Sequence, residues 1–249
     1  MVSVLDKQSV SAIAGRLRDI PVFASLNDAE CEAMAPWFHE SALEKETVIF
    51  YERDLPSEVG ARIYFVITGC VKLVKYSTDG ESTIVRLASE GEFFGVTGAL
   101  TNKPSPYSAE TYTPCQLLSI EKSDFVRLVE KYPHVAINII TALGEVLWFN
   151  YETHNQVVKK TDARVSKIIM YHVKRDGYVE TPDGLLLSIH LPHDYIASMT
   201  GIAYEESVRI VSRLKKMHGC INYLRGGKII ITNLPKLTEL AQAEEGWVE

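Results

Sequence analysis

Three charged residues near the C-terminus have the types and spacing of a surface that reads DNA bases. Glu205 and Arg209 lie one helical turn apart, and Arg213 follows one turn later. An Arg guanidinium can donate to O6 and N7 of guanine, and a carboxylate can accept from N4 of cytosine. An ordinary surface helix with an i,i+4 ion pair is the alternative, because such motifs give false positives. The pattern favours a helix that reads the major groove.

A helix-turn-helix would position these charges. The sequence predicts a short helix over residues 192–199, a turn at Gly201 and a second helix over residues 203–217. Glycine suits the turn because it adopts a left-handed backbone without a Cβ clash. The apolar face of the second helix consists of Ile210, Val211 and Leu214. The predicted DNA-binding residues are Tyr204, Glu205, Val208, Arg209, Ser212, Arg213 and Lys215.

The net charge of −6 conceals an uneven distribution. Residues 159–228 contain 12 Lys and Arg against 7 Asp and Glu, whereas residues 1–158 contain 13 against 21. DNA responds to the local field and to the phosphate contacts that it permits, not to the charge of the whole chain. The C-terminal third therefore carries the charge that a DNA-binding module needs.

Composition and cysteine spacing narrow the class of protein. The 249 residues suffice for two modest domains. No apolar run approaches the roughly 20 residues that a membrane span needs, and the first twenty residues lack the apolar core of a signal peptide. We therefore expect a cytoplasmic protein without membrane contact. The scattered cysteines are expected to be reduced, buried thiols: Cys31, Cys70, Cys115 and Cys220.

Residues 45–120 predict a β-barrel or jelly roll. This segment contains short runs rich in β-branched and aromatic residues, separated by glycine-containing turns. Asp79-Gly80 between two alternating runs is typical of a hairpin. The predicted strands are residues 47–51, 63–68, 71–76, 82–87 and 116–120.

Two helices are predicted after the barrel, over residues 123–131 with Ser123 as the N-cap and over residues 133–158. The second is apolar over most of its circumference until Tyr151, and such a helix cannot face water on any broad side. We expect one face to pack on the barrel and another on a second copy of the chain. A symmetric dimer also suits a protein that reads two half-sites.

The C-terminal segment is predicted to start with a polar hinge at residues 159–162, which supplies the N-cap of a helix over residues 163–174. A hairpin follows at residues 177–189. Residues 220–224 and 228–232 are predicted to close the module as a two-stranded wing. The first 18 residues or so, and the tail after Leu240, carry little signal and are expected to be mobile.

This order of elements resembles the Crp/Fnr family of bacterial transcription regulators. The resemblance covers residues 20–233, and its motifs are specific in combination. They are IPVF at 20–23, IYFVITGCVKL at 63–73, GEFFG at 91–95, and the reading-helix pattern at 196–214.

The resemblance implies an α+β fold with an N-terminal double-stranded β-helix or jelly-roll sensor barrel, a long dimerisation helix and a C-terminal winged helix-turn-helix. The corresponding domains are residues 1–122, 123–160 and 161–249. It implies a homodimer that is not an enzyme, binds palindromic double-stranded DNA and has RNA polymerase as a partner.

Two departures from the family pattern are informative. In the cyclic-AMP receptors, a Glu and an Arg-Ser pair hold the ribose and the cyclic phosphate, but here Val96 and Tyr107-Ser108 stand at those positions. Losing the Arg removes the charge-assisted fork that a phosphate needs, so we do not expect cyclic AMP. In the reading helix the usual Val-Ser appears as Ser207-Val208. This order predicts a packed Ser207 and a Val208 that can touch a thymine methyl.

A small organic effector between barrel and long helix is the expected signal. The chain resembles the aromatic-effector sensors of halorespiring anaerobes in lacking the Arg. The alternative is that the aromatic side chains of this region simply fill the core. The predicted effector-binding residues are Phe93, Phe94, Gly95, Val96, Thr97, Tyr107, Ser108, Leu147 and Tyr151, with Tyr112 and Trp148 as further walls.

Other sensor classes fit less well. A haem would need an axial ligand, for which His134 and His154 are the candidates nearest the barrel–helix junction. Thiol-based redox control has no support from cysteine spacing, and an iron–sulfur cluster fails because Cys31 alone lies near the N-terminus. Residues 45–120 contain no His, which argues against a jelly-roll metalloenzyme. A cyclic-nucleotide-binding module of a kinase or channel would lack the winged helix.

Overall fold

Two units make up the part of the chain that the computed structural model describes, which is residues 7–55, 60–77, 82–154 and 161–242. The first unit extends to Val146 apart from Thr83–Val85. The second contains Thr83–Val85 and the chain from Leu147 onward. The division falls inside the long helix, whereas the sequence placed its domain limits on either side of that helix.

Short strands form two four-stranded sheets, ordered β1-β8-β3-β6 and β2-β7-β4-β5. The expected jelly-roll barrel is confirmed. The strands are β1 (Phe38–Leu43), β2 (Val48–Phe50), β3 (Arg62–Thr68), β4 (Val71–Tyr76), β5 (Ser82–Ala88), β6 (Phe93–Phe94), β7 (Ser108–Thr111) and β8 (Cys115–Glu121).

Sequence patterns located the strands that are rich in β-branched and aromatic residues and missed the others. β1 escaped because the polar residues His39 and Glu40 both face solvent, and β6 is two residues long. β7 was also missed. The predicted Asp79-Gly80 turn lies outside the described residues, but β4 and β5, which it would join, are neighbours in the sheet.

An aromatic cluster holds the barrel against the segment that precedes it. The ring centroid of Phe23 lies 5.7 Å from that of Phe38 and 5.0 Å from that of Phe65. All three side chains are fully buried. Burying such rings is among the largest single contributions a core receives.

The helices of the first unit correct two expectations. These helices are α1 (Lys7–Arg18), α2 (Asp28–Met34), α3 (Val96–Thr101) and α4 (Lys122–Lys131). Residues 7–18 are not a mobile arm, because α1 buries Ile13 and Leu17 in the barrel core. Ser123 is not the N-cap of α4, since the helix already begins at Lys122 and its N-cap is Glu121.

The long helix α5 (Pro133–His154) has a buried side and an exposed apolar side. Val135 and Ile139 join the barrel core. The amide of Asn138 donates to the carbonyl of Val22 at 3.0 Å. Ile137 and Ile140 on other faces are 62% and 63% exposed. The predicted extension over residues 155–158 lies outside the described residues.

The second unit is a winged helix-turn-helix. The predicted two-stranded wing is present as the hairpin of β11 and β12, and it is joined to a second hairpin because β12 also pairs with β10, in the sheet order β11-β12-β10-β9. Hydrophobic periodicity cannot show which hairpins pair with each other. The elements are α6 (Thr161–Arg175), β9 (Tyr178–Thr181), β10 (Gly184–Leu187), α7 (His193–Thr200), α8 (Tyr204–Lys216), β11 (Ile221–Leu224), β12 (Lys228–Ile231) and α9 (Leu234–Gln242).

Further expectations concern the ends of these elements. Residues 159 and 160 of the predicted hinge lie outside the described part of the chain. Thr161 and Asp162 already belong to α6, so this helix begins two residues earlier than predicted. The tail expected to be mobile also lies outside it from residue 243 onward. All four cysteines are buried thiols outside any disulfide, as expected. Within the described ranges, none of the helices combines the length and the apolar character that crossing a membrane requires.

Candidate DNA-reading surface and sensor cleft

The turn between α7 and α8 has the geometry that its glycine predicts. Gly201 has φ 64°, a left-handed conformation that ends α7. The backbone N–H of Ile202 then donates to the carbonyl of Ala197 at 3.0 Å, which closes the turn. After this turn α8 buries its apolar face, and Ile210, Val211 and Leu214 are at most 2% exposed.

Burial of that face leaves one outward surface on α8. Glu205, Arg209, Ser212 and Lys216 follow one another at spacings of four, three and four residues, which places them on one side of the helix. Lys216 was not among the predicted DNA-binding residues, which ended at Lys215. These four residues are hereafter called the reading face.

The residues beside the reading face are arranged as the Ser207-Val208 order predicted. Ser207 is fully buried, and Val208 is 38% exposed. Tyr204, at the start of the helix, is 53% exposed. An apolar side chain on this side can touch a thymine methyl but forms no bond to a base edge.

The charged residues of α8 are not paired as the alternative of an ordinary surface helix with an i,i+4 ion pair would have them. Arg209 forms an ion pair with Glu206 and not with Glu205. Its side chain is 71% exposed, so this pair adds little stability and the guanidinium stays accessible. Arg213 bonds to the carboxylate of Asp162 in the first turn of α6, with 2.7 Å between N and O.

A histidine fixes the start of α7 against α8 and the wing. The ring of His193 lies 4.3 Å from that of Tyr223 on β11 and 5.9 Å from that of Tyr204. Its Nδ1 is 3.2 Å from the hydroxyl of Ser207. The hydroxyl of Tyr223 donates to the carbonyl of Leu191 at 3.0 Å. Sequence patterns gave no sign of this cluster, because its members come from three separate elements.

Burial around this cluster lowers the pKa of His193, and the nearby Asp194 carboxylate only partly offsets the effect. The neutral imidazole is therefore the form that the folded unit favours. A charged ring would lose hydration without gaining a carboxylate bonded directly to it.

In the first unit, a cleft of about 430 Å³, including solvent at its mouth, opens beside the barrel strands. Two aromatic rings line it, Phe50 and Tyr64, whose centroids lie 6.0 Å apart. Outside the lining, the ring of Tyr107 lies 6.0 Å from that of Phe50, and Phe94 stacks on Tyr64 at 5.1 Å. The lining residues of the cleft are Ile49, Phe50, Asp54, Gly60, Ala61, Arg62, Tyr64, Gly95, Gly98, Ala99 and Ser105.

Of the predicted effector residues, Gly95 lines this cleft directly. Its φ is 84°, and a Cβ at this position would lie 2.8 Å from the carbonyl oxygen of Arg62, so both the backbone and the space require glycine. Its N–H donates to the hydroxyl of Tyr107 at 3.4 Å. The sequence missed Phe50, Asp54 and Tyr64, because neither their spacing nor their type differs from ordinary barrel positions.

The other predicted effector residues lie elsewhere. Buried in the core are Phe93, Phe94, Val96 and Ser108. Thr97 is exposed. Leu147 is half exposed on α5, and the side chain of Tyr151 lies outside the described residues. The haem candidate His134 is exposed, and the side chain of His154 is likewise not described.

The electrostatics of the cleft do not suit a phosphate. Arg62 is the one cation among the described lining residues, and its guanidinium bonds to Glu121 at 2.8 Å and to Ser119 at 3.3 Å. Asp54 adds a carboxylate, which accepts from the N–H of Tyr51 at 2.7 Å. Burial raises the pKa of Tyr64, so its hydroxyl stays neutral.

Fold and surfaces together define a DNA-binding transcription regulator with an N-terminal domain of the cyclic-nucleotide-binding type. The family model "Cyclic nucleotide-binding domain" matches residues 40–132, and "Crp-like helix-turn-helix domain" matches residues 163–240. The Global nitrogen regulator of Synechocystis sp. is 25% identical over 202 residues, covering 80% of this chain and 87% of the relative. The chain belongs to the Crp/Fnr family of transcription regulators.

Solved structures agree on the fold. FixK2 from Bradyrhizobium japonicum has a TM-score of 0.66 at 19% identity, over 84% of this chain and 99% of its own. The c-di-GMP responsive regulator CLP of Xanthomonas campestris has a TM-score of 0.65 at 18% identity, over 82% and 99%. The Global nitrogen regulator is a regulator and not an enzyme.

The lowered pKa of His193 makes the stability of the second unit depend on pH. Since the folded pKa lies below the ordinary value of about 6.5, the unfolded chain binds the proton first. The free energy of unfolding should therefore fall as pH decreases below about 6.5. Urea unfolding at several pH values should show a smaller fall for His193→Gln. The exposed-histidine control His134→Gln should behave as wild type, and an unchanged slope in His193→Gln would contradict the assignment.

Proposed function

We propose that the chain is a homodimeric, sequence-specific regulator that reads a palindromic operator with α8 and acts on RNA polymerase. The observation that carries this proposal is the reading face, which turns Glu205 and Arg209 outward while the opposite side of α8 is buried. We further propose that residues 1–122 sense, residues 123–160 dimerise and residues 161–249 bind DNA.

Dimerisation is supported by an exposed apolar stripe on α5. Exposed apolar side chains recur along the helix at spacings of three or four residues at Ile137, Ile140, Leu143 and Leu147, and Trp148 adjoins the last of them. A monomer would leave these groups in water, where contiguous apolar surface marks an interaction site. A second copy of α5 would cover the stripe symmetrically, and the dimer would present two reading faces.

The signal is proposed to be a small organic effector, other than a cyclic nucleotide, that binds in the barrel. Support comes from the aromatic wall of the cleft and from Arg62, whose guanidinium is already bonded to Glu121. We propose that effector binding repacks the barrel against α5 and thereby sets the separation of the two reading faces. They must lie roughly 34 Å apart to enter successive turns of the major groove.

Replacing the central arginine tests the reading face. Arg209→Ala should weaken operator binding by about 1–3 kcal/mol per half-site and relax base preference at one position, because a bidentate hydrogen bond to a base disappears. Fluorescence anisotropy with operator variants measures both effects. Arg127→Ala removes an equally exposed arginine from α4 and should change neither. Unaltered operator discrimination in Arg209→Ala would show that α8 does not present this face to the bases.

Replacing a charge beside the reading face should have a different effect from replacing Arg209. Lys215→Ala should weaken all duplexes alike and lower the slope of log K against log salt concentration by about 0.9 for each phosphate that is no longer neutralised. This contrast separates base reading from phosphate binding within one helix.

A charge on the α5 stripe tests the dimer. Ile140→Glu should shift the protein from dimer to monomer in sedimentation equilibrium, because the interface would have to bury a carboxylate without a partner. Val126→Glu places the same charge on α4 at a position 37% exposed and should leave the dimer intact. A dimer that tolerates Ile140→Glu would exclude the stripe as the interface.

Cyclic AMP tests the effector class. It should leave the melting temperature of the full-length protein unchanged at millimolar concentration, because its phosphate would meet Asp54 and an arginine that already bonds to Glu121. Differential scanning calorimetry provides the measurement, and native mass spectrometry of freshly isolated protein reveals any retained organic ligand. A concentration-dependent rise with cyclic AMP would overturn this part of the proposal.

A further inference from the structure

A carboxylate at the start of α6 holds two basic groups that follow the reading face. Asp162 Oδ1 lies 2.7 Å from a guanidinium nitrogen of Arg213, and Asp162 Oδ2 lies 3.6 Å from Nε2 of His218. The Asp162 side chain is 18% exposed and that of Arg213 is 42% exposed. The ion pair is therefore partly sheltered on the acidic side and open to solvent on the basic side.

Arg213 occupies a position from which it could contact the DNA backbone. It follows Arg209 by one helical turn and is displaced by about 40° around the helix axis from that residue. It therefore lies at the border of the reading face and not at its centre. Side chains at such borders meet the phosphates that flank the groove, whereas central side chains meet base edges.

Asp162 and a DNA phosphate would compete for the same guanidinium. Both are anionic oxygen acceptors that favour the planar Arg fork. Asp162 also places a negative charge close to the path of the duplex backbone, where it repels phosphates. The carboxylate itself is well placed at the first turn of α6, since a helix N-terminus favours negative charge.

We propose that Asp162 acts as an electrostatic brake on DNA binding by withholding Arg213 from the phosphate backbone. This inference rests on the proposed reading face. The brake lies in the first turn of α6, so any displacement of that turn changes how firmly Arg213 is held. It thereby links the conformation at the beginning of the second unit to affinity for DNA.

Removing the carboxylate charge tests the brake. Asp162→Asn should raise operator affinity about 3- to 10-fold at roughly 0.1 M salt, because a partly exposed ion pair is modest and the repulsion disappears as well. The slope of log K against log salt concentration should steepen by about 0.9 for each Arg213 that gains a phosphate contact. Asp183→Asn removes an exposed carboxylate from the same unit and should change affinity much less.

Arg213 provides the second arm of the experiment. In an Arg213→Ala background, Asp162→Asn should gain clearly less affinity than in the wild type, since the group that the brake withholds is absent and only the loss of repulsion remains. Asp162→Ser serves as an independent variant that keeps a residue suited to a helix start, and circular dichroism verifies that each variant is folded.

The outcomes separate the brake from the reading face. Unchanged or reduced affinity in both Asp162 variants, or an equal gain without Arg213, would overturn the brake. If Arg209→Ala weakens binding in the same assay, the reading face stands even when the brake fails. If Arg209→Ala has no effect, both the proposed reading face and the brake, which depends on it, are contradicted.

Discussion

Burial of one side of α8 is the constraint on which the DNA-binding surface depends. Ile210, Val211 and Leu214 leave water together, and the helix cannot rotate about its axis without exposing them. Each buried side chain of this size contributes roughly 1.5–3 kcal/mol, which far exceeds any single surface ion pair. Packing of the buried side therefore fixes the direction in which the reading face points, and with it the direction of the charged side chains.

The sequence was informative where local chemistry decides the structure. Gly201, the apolar positions of α8 and the strongly alternating strands each carry their own signal, and the Ser207-Val208 order located a buried and an exposed residue. The misses depend on distant contacts. The His193–Tyr223 stack and the pairing of β10 with β12 join segments far apart in the chain, so no periodicity could reveal them.

The sensor cleft illustrates the same limit. The GEFFG motif contains Gly95, which lines the cleft. The adjacent aromatics, however, were assigned by proximity along the chain, whereas Phe93 and Phe94 turn into the core. The ring wall instead includes Phe50 and Tyr64 from two other strands. Which side of a short strand faces a cavity depends on its register with neighbours, and a two-residue strand contains too little alternation to indicate it.

The ion pair between Glu206 and Arg209 bears on how selective such a helix can be. In the proposed reading mode, a base that engages Arg209 competes with this carboxylate for the guanidinium. Guanine supplies two acceptors in the plane of the guanidinium, whereas a base with a single acceptor or a donor supplies less. Because the exposed pair adds little stability, this competition would favour guanine only modestly, and it would do so without any steric clash.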